Sequence, residues 1–416
     1  MKKLLEKHGI FYGWAIVFYA LVIMAVCFGI AHNCFTLYII PVSERFGWPR
    51  RSVSAALTLM YVMQMLGSVF SGRIFRRAAV KKVMMIAVII QPAAYFLLSF
   101  ASNLPVFYLL SVIVGGCVPF LSFQAFTVII ANWFEEKRGT ATGIAFMGSG
   151  LGGMIFNAVG GSLLTRMSYD ALFRVYAAVI AAVAVPVVFF LVKEKPQELG
   201  LLPYGERPGT DGKFFHEVIY GCSFEEAFRK SGLYVLMLAA LAIGFSTSVL
   251  SSTIVPDITD SGFTPKYAAM VNAAYLGGVS LGKVILGQMF DRMGMKRALT
   301  IAMLCLLAGL AGMYFSNLQW MHIVLVAGAS LGCATGTVAY PLMTQSVMGN
   351  RDYGALSGIV MACGSLGGCI APFFSNAVFD ALASYRTAYI PAAAAAALAI
   401  MAGLLVRTMK KPGQDG

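Results

Sequence analysis

The sequence predicts an all-α membrane protein, with twelve transmembrane helices in two pseudo-symmetric six-helix bundles. Three observations predict it. Hydrophobic residues make up 59% of the 416-residue chain and charged residues only 12%, far outside the soluble globular range. Twelve apolar stretches are long enough to cross about 30 Å of hydrocarbon as helices. The chain also repeats itself at a fixed offset of 215 residues. Gly72-Arg73-Ile74-Phe75-Arg76-Arg77 returns as Gly287-Gln288-Met289-Phe290-Asp291-Arg292, and Leu151-Gly152-Gly153 returns as Leu366-Gly367-Gly368. Pro41, Gly47, Gly67, Gly139 and Gly143 map onto Pro256, Gly262, Gly282, Gly354 and Gly358 by the same shift. Parallel halves inside a membrane chain mark an alternating-access carrier.

The predicted spans of the first half are 12–40, 53–72, 83–100, 104–134, 140–165 and 171–192, numbered one to six here. Those of the second half are 232–256, 267–290, 298–315, 319–350, 354–379 and 386–407, numbered seven to twelve. Helix is the expected form throughout, because each peptide group at membrane depth must be satisfied within its own segment. The domains follow as 1–192, a linker over 193–231, and 232–416. The linker is the one long polar segment, with Pro196, Pro203 and Pro208 and mixed charge. Ser223-Phe224-Glu225-Glu226 reads as a capping box opening a short amphipathic helix along the membrane surface. Glycines cluster in spans five and eleven, at Gly148, Gly150, Gly152 and Gly153 and at Gly364, Gly367 and Gly368. Their smooth faces suit close helix contact, static or sliding.

A net charge of +13 invites a nucleic-acid reading, but its distribution argues otherwise. With the N-terminus in the cytoplasm, 23 of the 31 Lys and Arg fall in cytoplasmic segments, seven outside and one deep in a span. This positive-inside bias places both termini in the cytoplasm and the protein in the cell (cytoplasmic) membrane. The balance adds attraction to anionic lipid headgroups and gives no reason to expect nucleic acid as a partner. The opening Met-Lys-Lys-Leu-Leu-Glu-Lys imitates a secretory signal. The apolar stretch behind it is too long and lacks a small-residue cleavage site, so it reads as an uncleaved first span. Seven of the eight cysteines fall within spans and only Cys222 in a loop, with no CxxC pair or His/Cys spacing for zinc. No cofactor or metal is expected, and no nucleotide-binding loop is present to support an ATP-driven or enzymatic reading.

Gly287-x-x-x-Asp291-Arg292-x-Gly294-x-Lys296-Arg297, between spans eight and nine, resembles the cytoplasmic-loop motif of the major facilitator superfamily. The glycine permits close helix approach, and Asp291 is placed to pair with a cation or a helix N-terminus. Gly287, Asp291, Arg292 and Arg297 are therefore expected to form a conformational latch. The first-half copy departs from the pattern, with Arg76 in place of the acid and Ala79 in place of the second glycine. A second run, Asn132-Trp133-Phe134-Glu135-Glu136-Lys137-Arg138-Gly139-Thr140-Ala141-Thr142-Gly143, is similar to the span four–five junction of monocarboxylate porters and oxalate/formate antiporters. Phe11-Tyr12-Gly13-Trp14 and Ser223-Phe224-Glu225-Glu226-Ala227 fit the same group.

Lys283 is the charged residue set in the interior of a span, with no Asp or Glu inside the predicted spans to pair with it. An ammonium at that depth costs a few kcal/mol unless paired or hydrated. The economical partner is an anionic substrate in a watered cavity. The competing reading is a snorkelling anchor, since Asp291 lies eight residues on, about 12 Å by helix rise. The resemblance agrees with the first reading: Lys283 falls where these porters usually carry a substrate-binding arginine. Lysine lacks the planar fork of arginine. The acid some relatives carry one turn earlier is Val279 here. His32 and Asn33 in span one share the claim to a second substrate contact, where several relatives hold a cationic residue. A histidine there suits proton-linked binding and release, or else a plain interhelical hydrogen bond. Tyr61, Gln124, Tyr275 and Tyr340 are lesser candidates for the cavity lining.

The expected function is secondary transport of a small organic anion, a monocarboxylate such as lactate or pyruvate, together with a proton. Exchange of one carboxylate for another, against a counter-anion, is the alternative. A non-transporting sensor is the reading from a different class. The short linker and tails, without an interaction domain, speak against it. Drug efflux ranks low, because cationic drugs call for an intramembrane acid and this interior offers a base.

Overall fold

The computed structural model describes residues 11–205 and 220–409. Among them every regular element is helical, and the chain divides into two compact units. The first holds residues 1–136 and 144–205; the second holds 206–416 together with the stretch Lys137–Gly143. The division therefore falls inside the linker, at 205/206. The linker's residues 206–219 lie outside the described residues.

Eleven described helices are long and apolar enough to cross a membrane. One of them, Pro265–Tyr314, contains spans eight and nine in a single run. A straight helix of 50 residues would reach about 75 Å, more than twice a bilayer core. Gly294 resolves the conflict: its φ of 76° and ψ of 170° interrupt the helical backbone between the two spans. This is where the motif needs its second glycine. In the first half Ala79 has φ −57° and ψ 135°, beside Ala78 at −136° and 143°. That turn is made of extended residues and has no use for a glycine.

Both units expose large apolar side chains, including Phe18, Ile86, Phe100 and Phe190 in the first and Ile323, Phe373, Met401 and Leu405 in the second. Such residues on helices of spanning length belong in lipid, and the chain is an integral membrane protein. Inside each unit, small residues bring backbones together. A Cβ on Gly29 would fall 2.7 Å from the Gly152 carbonyl carbon, and one on Gly152 would fall 2.5 Å from Ala25 Cα. Their repeat counterparts, Gly244 and Gly367, abut Gly364 and Leu241. The paired glycines thus join span one to span five, and span seven to span eleven, within one unit each.

Span one is not a single helix. An α-helix over Tyr12–Ile23 passes into a π-helical turn at Met24–Phe28, then an irregular turn, then a 3-10 stretch at Asn33–Tyr38, and recovers as α-helix at Ile39–Phe46. Span four breaks at Ser122, between Leu104–Leu121 and Phe123–Trp133. Span ten breaks between Met321–Gly332 and Thr335–Met348. Span seven, by contrast, runs unbroken over Ser231–Asp260 despite Pro256. It thus continues past the residue 256 expected from sequence.

Each end of the linker docks on an equivalent loop. Tyr204 bridges to Phe134, and Gly221 bridges to Gly349; Phe134 and Gly349 are themselves separated by the 215-residue repeat. In the first unit the rings of Phe11, Trp133 and Tyr204 gather, with centroids 5.8 Å apart for Phe11–Trp133 and 5.4 Å for Phe11–Tyr204. Trp133 Nε1 donates to the Lys193 carbonyl at 2.9 Å. Two sequence motifs that lie more than a hundred residues apart are thereby brought together as one aromatic anchor. In the second unit the capping box is present: Ser223 Oγ accepts from Glu226 N at 3.2 Å and Glu226 accepts from Ser223 N at 2.9 Å. The Ser223 amide holds the Glu226 carboxyl below its usual range. The helix it opens is one turn, Phe224–Ala227, too short to lie along a membrane as the amphipathic helix expected from sequence. Asp352 takes the Phe224 amide at 2.7 Å and fixes the turn to the unit itself.

Candidate functional site

The first unit contributes the interruption in span one. A π-turn and an unwound stretch release carbonyls that would otherwise be bonded along the helix, and at membrane depth these need donors. Neighbouring helices supply them. Gln91 Nε2 donates to the Cys27 carbonyl at 3.3 Å and Tyr95 Oη to the Ile30 carbonyl at 3.4 Å. Asn157 Nδ2 reaches the Asn33 carbonyl at 3.5 Å. None of these three residues was singled out from sequence. A polar side chain in an apolar span was the available signal.

His32 and Asn33 sit at this interruption and behave differently. Asn33 donates to the Ser149 carbonyl at 3.0 Å and touches Gly153, joining span one to span five. Its repeat counterpart Ser248 does the same, donating to the Gly368 carbonyl at 2.9 Å. That symmetry gives Asn33 a packing task. His32 is buried, stacked on Phe28 at 4.5 Å and edge-on to Tyr61 at 4.6 Å. Its Nδ1 lies 3.4 Å from Asn33 Oδ1, and its Nε2 makes no well-aligned hydrogen bond among the described residues, with the Gln64 side chain beside the ring. An imidazole nitrogen without such a bond is able to receive a polar group. Tyr61 is 42% exposed, so the structure brings it together with His32 at an open edge. Gln124 is buried just after the Ser122 break.

In the second unit Lys283 is 6% exposed, and its backbone packs against Gly143. Tyr275 and Tyr340 are both buried. Tyr340 Oη donates to the Ala240 carbonyl at 3.3 Å, a bond between spans ten and seven. Tyr340 therefore acts as a packing residue in this arrangement. The sequence reading excluded acids from the spans, and the structure corrects it. Because span seven continues to Asp260, Asp257 lies within a membrane-spanning helix and is 6% exposed. Ending the span at Pro256 hid it; the run of apolar residues did not in fact require a stop there.

The loop motif is built around Asp291. Its Oδ1 accepts from Gly139 N at 2.7 Å, and its Oδ2 accepts from Thr140 N at 2.7 Å and Thr140 Oγ1 at 2.6 Å. Those amides open the helix Arg138–Leu164, whose first turn has donors unsatisfied by the helix itself. Gly139 and Gly287 press backbone on backbone, leaving no room for a Cβ on either. Arg292 and Arg297 are exposed and make no hydrogen bond or ion pair among the described residues. Lys296, which carried no expectation of its own, donates to the Leu404 carbonyl at 2.7 Å and closes the end of the last helix. Among the described residues no cluster of His, Cys, Asp and Glu is arranged to hold a metal.

Comparison with known proteins decides the family. The model described as Major Facilitator Superfamily matches residues 21–372 and, again, 236–416. The chain belongs to the major facilitator superfamily. It is a transporter and not an enzyme. Among similar superfamily members is the uncharacterized MFS-type transporter YcxA of Bacillus subtilis, 21% identical over 388 residues, covering 89% of this chain and 90% of that one. Monocarboxylate transporter 12 of Mus musculus is 21% identical over 408 residues, covering 91% and 82%. The oxalate:formate antiporter of Oxalobacter formigenes is 24% identical over 246 residues, covering 58% and 55%. The crystal structure of the superfamily transporter FucP in the outward conformation superposes with a TM-score of 0.70 at 15% identity, covering 94% of this chain and 97% of that one. That likeness establishes the fold.

Proposed function

We propose that the protein is a secondary carrier of small organic anions, moving a monocarboxylate such as lactate or pyruvate together with a proton. The observation that carries this reading is Lys283, an ammonium-bearing side chain buried in the interior of a spanning helix. Intramembrane cations are expensive and are retained for ion or substrate handling. The similar proteins named as a monocarboxylate transporter and an oxalate:formate antiporter support an anion as the cargo.

In this reading Lys283 holds the substrate carboxylate as a point charge. His32, with Gln64 beside it and Tyr61 at its edge, is the contact offered by the first unit. Asn33 and Tyr340, both engaged in packing bonds, hold their helices in place and leave ligand contact to these others. Asp291 acts as the latch, its carboxylate on the helix start at Gly139 and Thr140 favouring one conformation over the other. The Lys and Arg distribution supports both termini in the cytoplasm and residence in the cell membrane. The similarity to an oxalate:formate antiporter favours carboxylate exchange as the second reading.

Uptake of labelled lactate by the purified protein in liposomes, with and without an inward proton gradient, tests the proposal. Gradient-stimulated uptake is expected, falling about tenfold or more in Lys283→Ala through loss of a charge-assisted contact. Uptake that survives the substitution would make Lys283 a snorkelling anchor. Lactate counterflow without gradient stimulation would establish the exchanger instead.

A further inference from the structure

We infer that Asp257 is a proton-binding site of the second unit, a carboxyl that takes one proton from water and returns it as the carrier cycles. Its role in transport rests on the proton-coupled reading above; its protonation does not. The carboxyl is buried by protein within a spanning helix, three residues from the helix end at Asp260. By helix rise that is about 5 Å, a short route for a proton from the membrane surface.

Donor counting around the carboxyl supports a bound proton. Tyr389 of span twelve and Ser316 from the span nine–ten loop stand beside it. Thr253 Oγ1 donates to the Val249 carbonyl at 2.9 Å, so it accepts the Tyr389 hydroxyl at 3.1 Å. The Tyr389 hydroxyl has a single proton, which Thr253 and the Asp257 carboxyl compete for. Ser316 Oγ lies 2.9 Å from Ser261 Oγ, and either hydroxyl can be the donor of that bond. Asp257 Oδ2 has no partner at hydrogen-bond distance among the described residues. An ionised carboxylate with Oδ2 left so would carry an unmet desolvation cost, whereas a proton on Oδ2 removes the charge and turns that oxygen into a donor.

The charged and titratable neighbours do not take over the task. Asp260 is of like charge, one turn along the same helix. Arg386 of span twelve is exposed and donates to Asn317 Oδ1 at 3.2 Å. Tyr385 is bonded to Asn376. His322 uses both nitrogens, Nδ1 with Tyr267 Oη and Nε2 with the Ser316 carbonyl, each at 3.0 Å. The repeat places Val42 at the equivalent position of the first half, so the site belongs to the second unit alone. Loss of the proton frees the Tyr389 hydroxyl to swing from Thr253 to the carboxylate, altering a tie between spans seven and twelve.

The test compares wild type, Asp257→Asn and Tyr389→Phe, each checked for monodispersity after purification. Infrared difference spectra between acid and alkaline pH are expected to show a protonated-carboxyl band in wild type, absent in Asp257→Asn and shifted in Tyr389→Phe. A wild-type difference spectrum unchanged by Asp257→Asn would overturn the inference. So would a carboxylate signal displaced by sodium alone, which would make the oxygen cluster a cation site. In liposomes, Asp257→Asn is expected to retain lactate counterflow and lose stimulation by the proton gradient. Gradient stimulation equal to wild type would remove Asp257 from coupling. Absence of lactate transport in wild type would count against the proposed function and leave the infrared result to decide the proton site.

Discussion

Spans one and seven occupy the same place in the repeat, yet span one is broken into π, irregular and 3-10 turns where span seven is one helix. The residues around them explain the difference. Gln91, Tyr95 and Asn157, which bond the carbonyls released in span one, correspond to Leu306, Leu310 and Pro372 in the second half. The first half spends polar side chains to keep a helix open beside His32. The second half has no polar side chain at those three positions, and it carries its ionisable groups on the closed helix itself, at Asp257, and on the run that follows, at Lys283 and Asp291. A helix interrupted at membrane depth persists only where its backbone is satisfied by protein. The two halves share a scaffold and divide the chemistry.

The strongest test of the shared scaffold is to fill its glycine contacts. Gly29→Ala and Gly244→Ala, at matched positions, each drive a methyl group into neighbouring backbone. Backbone gives way less readily than a side chain, so each is expected to cost about 2–3 kcal/mol. Thermal unfolding in detergent should show lowered midpoints of similar size for the two. A drop confined to one of them would mean that the repeat in sequence is not a repeat in packing.

The difference between the halves is probed by Gln91→Leu, which installs the second-half residue in the first. The Cys27 carbonyl loses its donor, at a cost of about 1–3 kcal/mol, partly offset because the unpartnered Gln91 Oε1 is removed as well. A net loss of about 1 kcal/mol is expected, with faster amide exchange over residues 24–38. Unchanged exchange there would show that the interruption of span one does not depend on its polar supports.

Much of this was legible in the sequence, and the limits are instructive. Hydropathy and the 215-residue repeat suffice for twelve spans, because a bilayer imposes length and apolarity on each helix. The repeat also contains the Gly29–Gly244 pair, which a search confined to spans five and eleven passes over. The broken course of span one was not legible: its residues are as apolar as those of span seven, and the cause lies in donors sixty or more residues away. Asp257 escaped for a different reason. A proline was read as a helix end, although neighbours in a membrane bundle let helices continue past it. Lys283 stood out because a charge in an apolar run needs no knowledge of its surroundings to be noticed.

The mildest perturbation concerns the loop where the halves differ by one charge. Asp291 accepts three hydrogen bonds at the start of the helix Arg138–Leu164, whereas Arg76 at the matching position has no acceptor to offer. In Asp291→Asn one carboxylate oxygen becomes an amide NH2 whose N–H donors oppose the backbone N–H groups it faces, and the attraction of a negative charge to the helix start is lost. The bonds to Thr140 are exposed to solvent, which lowers their worth. The expected cost is about 1 kcal/mol, within the range for removing a helix cap. Hydrogen exchange at Gly139 and Thr140 should quicken about fivefold, while exchange at the start of Tyr353–Leu382 stays as it was. If both helix starts quicken together, Asp291 supports the unit as a whole. A change confined to Gly139 and Thr140 instead fits a local latch, one that opens without loosening the helices around Lys283.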